Sequence, residues 1–159
     1  MSKNLKRWLR YIVVLVIVLY LCWQNSGASG RLTQGVCDVV SDVMEFFGGE
    51  RARTVTTDAN FYMIVRKSGH GLAFMALAFC GHLAIDADAT TRKARNWSSL
   101  GLNLGMALIA EILQAYVAAR TPTTRDAVIN LAGATLGILF AAIVAAVQRR
   151  INKRPMQTR

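Results

Sequence analysis

Four stretches of the chain stay apolar for close to the length that carries a helix across a bilayer, about 20 residues. The first covers residues 8–23, with an uncharged middle from Tyr11 to Trp23. It is short, but Arg10 can snorkel, and Tyr11, Tyr20 and Trp23 suit the two interfaces. The second covers 64–86, is uncharged from Ser68 to Ile85, and is expected to begin as helix some residues earlier. The third, 99–119, is broken only by Glu111, and the fourth, 126–147, has no charge from Ala127 to Val147. This pattern predicts an all-α integral membrane protein, a four-helix transmembrane bundle, as one domain over residues 1–159.

Between the first two spans lies a different pattern. Leu32, Val36, Val39, Val40, Val43, Phe46 and Phe47 recur at helical spacing, with Gln34, Asp38, Asp42 and Glu45 between them. That spacing predicts an extra amphipathic helix at about 32–47, stopped by Gly48-Gly49 and placed outside, either on the outer leaflet or capping the bundle. The connection between the third and fourth spans is tight, with Pro122 inside it. The basic start and the small residues Ser26-Gly27-Ala28-Ser29-Gly30 also fit a signal peptide. Tyr20, Cys22, Trp23 and Gln24 stand where a cleavage site wants small residues, which favours a retained span.

Composition supports the membrane class. The 159 residues are 53% hydrophobic and 18% charged, where a soluble domain carries roughly 25% charged residues. Disorder is excluded, because disordered chains are poor in apolar residues. The net charge of +10 raises the question of a nucleic-acid partner, and its distribution answers it. Lys3, Lys6, Arg7 and Arg10 precede the first span. Arg92, Lys93 and Arg95 follow the second, and Arg149, Arg150, Lys153, Arg154 and Arg159 occupy the tail 148–159. In a four-span protein these segments share one side. The positive-inside tendency makes that side cytoplasmic, termini included. It holds twelve cations against Asp86 and Asp88, whereas the outer side holds seven of each sign. The excess charge sets orientation, touches membrane lipid through the tail, and implies no nucleic acid. Cys22, Cys37 and Cys80 have no CxxC spacing and form no disulfide or zinc framework.

With that topology, polar residues of three spans gather at one depth near the outer face. Arg66, Lys67 and His70 open the second span. Glu111 and Gln114 lie in the outer half of the third, with Arg120 at its exit, and Arg125, Asp126 and Asn130 open the fourth. Ionisable groups inside a membrane are costly, face the bundle interior and mark function. Arg66 and Lys67, four and three residues before His70, are both placed to flank the imidazole. Gly133 and Gly137 form a small-xxx-small face that turns the Asp126/Asn130 stripe inward, and Gly101 with Gly105 offers a second close helix contact. His82 reads as an interface residue near the cytoplasmic end, and Asn103 as an interhelical hydrogen bond.

The segments Arg66-Lys67-Ser68-Gly69-His70, Glu111-Ile112-Leu113-Gln114, Arg120 and Asp126-Ala127-Val128-Ile129-Asn130-Leu131-Ala132-Gly133, continuing to Gly137, follow one another in this order. In that order they resemble the VanZ-like family of bacterial membrane proteins, with its RKxxH segment, ExxQ helix, turn arginine and DxxxNxxGxxxG helix. The chain departs from the common pattern at Ala110, where relatives often have an acid, and at Ala118-Ala119, where they often have Pro-Gly. The resemblance implies a small plasma-membrane protein whose founding relative is linked to resistance to the glycopeptide teicoplanin. It implies no settled mechanism.

Three readings of the polar cluster follow. As a binding site, Arg66, Lys67, Arg120 and Arg125 outnumber Glu111 and Asp126, so the pocket suits an anionic lipid headgroup, a lipid-linked wall precursor or a glycopeptide carboxylate. As an enzyme, His70 and Glu111 form an acid–base pair acting on lipid-linked substrates. As a scaffold, the same charges pair with each other and only hold the bundle. No cofactor is expected, and a lone histidine at the site argues against a metal.

Overall fold

The computed structural model describes residues 3–24, 26–49, 59–88, 92–116 and 124–152. It is all-helical, with five helices and no strand among the described residues: α1 Lys3–Trp23, α2 Ser26–Gly48, α3 Ala59–Asp88, α4 Arg92–Tyr116 and α5 Thr124–Asn152. The basic tail beyond Asn152 lies outside the described residues.

α3 is the hub, contacting every other helix. Tyr11 packs against Gly81, while Val18 and Cys22 join Ala73 and Phe74 in the wall of one cavity, so α1 and α3 run antiparallel. His82 meets Ser99 and Gly81 meets Leu102, which makes α4 antiparallel to α3. α5 runs parallel to α3. A Cβ on Gly133 would overlap the Gly71 carbonyl, and one on Gly137 would overlap the Met75 carbonyl, four residues further along both helices. The two backbones therefore touch where only glycine leaves room. No such contact forms at Gly101 and Gly105, where an added Cβ would meet nothing within 4 Å. Both stand clear of the neighbouring helices, so the close approach expected there does not occur.

The core joins Tyr11, Val18 and Cys22 of α1 to Phe74, Leu77 and Ala84 of α3 and Ala110 of α4. Its complement is unusual. α1 exposes Ile12, Val13, Val16 and Ile17; α4 exposes Leu104, Leu108 and Ile112; α5 exposes Leu136, Leu139 and Ile143. Meanwhile His82, Ser99, Asn103 and Asn130 are buried.

Among the described residues two stretches are long and apolar enough to cross a membrane, Asn60–Ile85 of α3 and Arg125–Ile151 of α5. The bundle of four spans expected above is thus only half supported on composition. In α1, Lys6, Arg7 and Arg10 enter every 18-residue window, and α4 is interrupted by Asn103, Glu111 and Gln114.

α2 begins at Ser26, six residues before the expected start. The small residues there are helical because they let α2 lie close to α3: a Cβ on Gly30 would stand 3.4 Å from the Tyr62 hydroxyl. The helix ends at Gly48. Gly49 takes φ 61° and its N–H donates to the Glu45 carbonyl at 2.9 Å, a left-handed cap that satisfies one orphan carbonyl.

Candidate functional site

Where α1, α2 and α3 meet, a cavity of about 140 Å³ opens beside Arg66 and His70. These two residues are one helical turn apart and so share a face of α3. Gly69 and Ala73 keep that face clear, α1 contributes Val18, Leu21 and Cys22, and α2 contributes Leu32, Thr33 and Val36. The Thr33 hydroxyl donates to the Ser29 carbonyl of its own helix at 2.9 Å, so its proton is already engaged. Arg66 and His70 are the basic side chains of the lining, and no Asp or Glu stands in it among the described residues. The cavity is therefore cationic and mostly apolar.

Lys67 points elsewhere. One residue along a helix is a rotation of about 100°, and Lys67 lines a separate open groove with Ser68, Gly71 and Ile129, on the side of α5. The expectation that Arg66 and Lys67 both flank His70 gives way to two cations on two faces.

Helix register shows which other expected residues reach the same depth. From the His82–Ser99 pair, twelve residues back along α3 is His70 and twelve residues forward along α4 is Glu111. At about 1.5 Å per residue both travel roughly 18 Å and arrive at one level. On α5, Asn130 precedes the Gly133–Gly71 contact by three residues, which sets it less than one turn from that level. Asn130 is fully buried, and neither its Oδ1 nor its Nδ2 finds a hydrogen-bond partner among the described residues. Glu111 and Asp126 are half-buried and Arg125 is exposed. Arg120 and the side chain of Gln114 lie outside the described residues. No three His, Cys, Asp or Glu side chains converge as a metal site among the described residues. Cys22, Cys37 and Cys80 are free thiols.

A second polar cluster, not foreseen as a unit, lies at the other end of α3. His82 is completely buried rather than at an interface, and its Nδ1 hydrogen-bonds Ser99 Oγ at 3.1 Å. Asn103 donates to the Ser99 carbonyl at 2.7 Å. That bond stays within its own helix, where an interhelical one was expected, because the short amide reaches the preceding turn first. Arg95 is also buried, and Arg7 Nη1 donates to the Leu83 carbonyl at 3.4 Å. The signal for this cluster was the i,i+4 pair Ser99/Asn103 in an otherwise apolar stretch. Its partner across the helices, His82, is fixed only by register.

The described residues thus form an all-helical bundle with two helices long and apolar enough to cross a membrane, a buried polar cluster and a cavity lined by Arg66 and His70. The family model described as VanZ/LLP1 matches residues 8–145, and the chain belongs to that family. Neither the curated proteins nor the solved structures yield a match to it.

Proposed function

We propose that this member of the VanZ/LLP1 family is a four-span protein of the bacterial plasma membrane, with both termini cytoplasmic, and that it holds the anionic headgroup of a membrane lipid or lipid-linked wall precursor beside Arg66 and His70. The observation that carries this reading is the cavity between α1, α2 and α3, whose basic side chains stand on apolar walls. Its volume of about 140 Å³ is close to the size that holds a benzene-sized guest, ~150 Å³. One phosphate or carboxylate group fits; a whole glycopeptide does not. Arg66 can grip such a group through two parallel N–H donors, His70 adds a donor, and Leu21 and Phe74 receive the first carbons of a chain. Any lowering of glycopeptide susceptibility would then act through the precursor and not through capture of the drug.

Support for all four spans comes from the surface. α4 turns Leu104, Leu108 and Ile112 outward and buries Ser99 and Asn103, the reverse of what water selects. Lipid as solvent removes the penalty on the first set, and interhelical burial satisfies the second. With the twelve cations of the termini and the α3–α4 connection on one side, the cavity opens at the outer end.

The test is native mass spectrometry of the protein extracted in mild detergent, followed by titration of the retained lipid class into the delipidated chain. Arg66→Ala should weaken retention by about tenfold to a hundredfold, the worth of a hydrogen bond to a charged group. Lys67→Ala, on the other groove, should leave it nearly unchanged. Equal retention by the parent and Arg66→Ala would sink the reading. A second reading, an enzyme on lipid-linked substrates, draws on the level at which Glu111 comes opposite His70. Substitutions of His70 or Glu111 that keep the lipid but abolish its turnover would favour it.

A further inference from the structure

We infer that α2 is not a cap over the bundle but an in-plane helix seated in the outer leaflet, with the ridge Leu32, Val36, Val39, Val43, Phe46 and Phe47 among the acyl chains. The inference uses the membrane reading above and goes beyond it, since nothing in the headgroup site requires α2 to touch lipid.

α2 has three faces. Thr33 and Cys37 are buried against α3, with Gly30 beside Tyr62. Asp38 and Asp42 are exposed, and Gln34 donates to Asp38 at 3.1 Å, which makes the polar face. The third face is the ridge. Every one of its six side chains is at least 46% exposed, and Phe46 and Phe47 reach 84% and 83%. The two rings hold each other edge-to-face at 5.1 Å and little else among the described residues covers them.

The chemistry of the ridge identifies the occupant. The ridge contains no charge over about 22 Å, fifteen steps of 1.5 Å from Leu32 to Phe47, so it suits hydrocarbon and not a charged partner. Its helix follows directly in the chain on the end of α1, where Tyr20 and Trp23 are 65% and 62% exposed. These are the residue types that sit at the headgroup level, and they place α2 at that depth. The acids of the opposite face repel anionic headgroups. Seating is therefore driven by apolar area alone, unlike the usual basic interfacial helix. Leu32 and Val36 belong both to the ridge and to the cavity wall. α2 is thus the partition between leaflet and cavity.

Cysteine reactivity in vesicles tests this. N-ethylmaleimide crosses membranes yet needs a thiolate, which forms in water and not among acyl chains. Phe46→Cys, Val39→Cys, Asp42→Cys and Leu136→Cys are each reconstituted into phosphatidylcholine vesicles, with the parent chain's labelling subtracted. Phe46→Cys and Val39→Cys should label on the order of tenfold or more slowly than Asp42→Cys, and all should label fully in SDS. Labelling of Phe46→Cys as fast as Asp42→Cys, with Leu136→Cys protected, overturns the seating of α2 while leaving the spans intact. Labelling of Leu136→Cys removes the membrane reading and this inference with it. Protection of Phe46→Cys that fades as lipid is added at constant protein would assign the ridge to a second copy of the chain, which also overturns the inference.

Discussion

Gly133→Ala and Gly101→Ala are the same chemical change in two helices, and the structure expects opposite signs. At Gly101 an added methyl meets nothing within 4 Å. The substitution there only removes glycine's excess conformational freedom, a gain of about 0.5–1 kcal/mol in a helix. At Gly133 the same methyl lands on the Gly71 carbonyl and 3.0 Å from Gly71 Cα. No side chain can rotate away from that contact, because both atoms are main chain. α3 and α5 must part by on the order of 1 Å to restore ordinary spacing. Overpacking of this kind costs roughly 1–3 kcal/mol, and the rigidity of the obstacle argues for the upper end. Offset by about 1 kcal/mol of helix propensity, the net loss is about 2 kcal/mol. Gly137→Ala, against the Met75 carbonyl and 3.1 Å from Ala78 Cβ, should lose as much. The double variant should lose less than the sum, since one parting of the helices relieves both clashes. Circular dichroism during thermal unfolding in detergent would read this as a midpoint lowered by ~4–8 °C, at 2–4 °C per kcal/mol for a chain of this size. A Gly133→Ala protein that melts with or above Gly101→Ala would refute the close backbone contact and the parallel register built on it.

Three further outcomes follow from buried polar groups. Ser99→Ala leaves the His82 imidazole without the hydroxyl now 3.1 Å away, and the same unfolding assay should show a loss of about 1–3 kcal/mol. Tyr11→Phe should be neutral or stabilising by up to about 1 kcal/mol, because the Tyr11 hydroxyl is buried with no hydrogen-bond partner among the described residues and desolvating it brings no return. Burial, and then the neighbouring Asp38 carboxylate, push the Cys37 thiol above the ordinary cysteine range. At pH 7 it should label with N-ethylmaleimide more slowly than Asp42→Cys, and raising the pH should accelerate it as thiolate forms. Rapid labelling of Cys37 at pH 7 would contradict the packing of α2 on α3.

Much of the fold was legible because long apolar runs and helical periodicity are local properties. What was not legible came from properties shared between helices or hidden by small residues. In the sequence Ser26 to Gly30 fit only the small residues of a signal peptide, since Gly, Ala and Ser carry no periodicity, yet they open α2 and bring Gly30 beside Tyr62. Gly101-xxx-Gly105 and Gly133-xxx-Gly137 are identical as strings. Only the second has a backbone opposite it, and nothing in either string says so. Grouping Arg66, Lys67 and His70 by depth was sound, but grouping them as one pocket ignored the rotation between adjacent residues, which sends Lys67 to the α5 side. The polar stripe of α4 was visible, while its meeting with His82 depended on the α3–α4 register.

The two histidines of α3 share a residue type and a helix but differ in accessibility. His82 is sealed, hydrogen-bonded to Ser99, and far from any described cavity lining. A group held in that way ties α3 to α4. His70, about 18 Å along the same helix by residue count, lines a cavity with Arg66. There, the Arg66 guanidinium stands in mostly apolar surroundings with space beside it. Desolvating charge is expensive even when paired, so the space next to a partly buried guanidinium holds either water or an anion. Which of the two fills it separates a binding site from a scaffold, so the occupancy of this cavity, and not its polar lining alone, is the thing to measure.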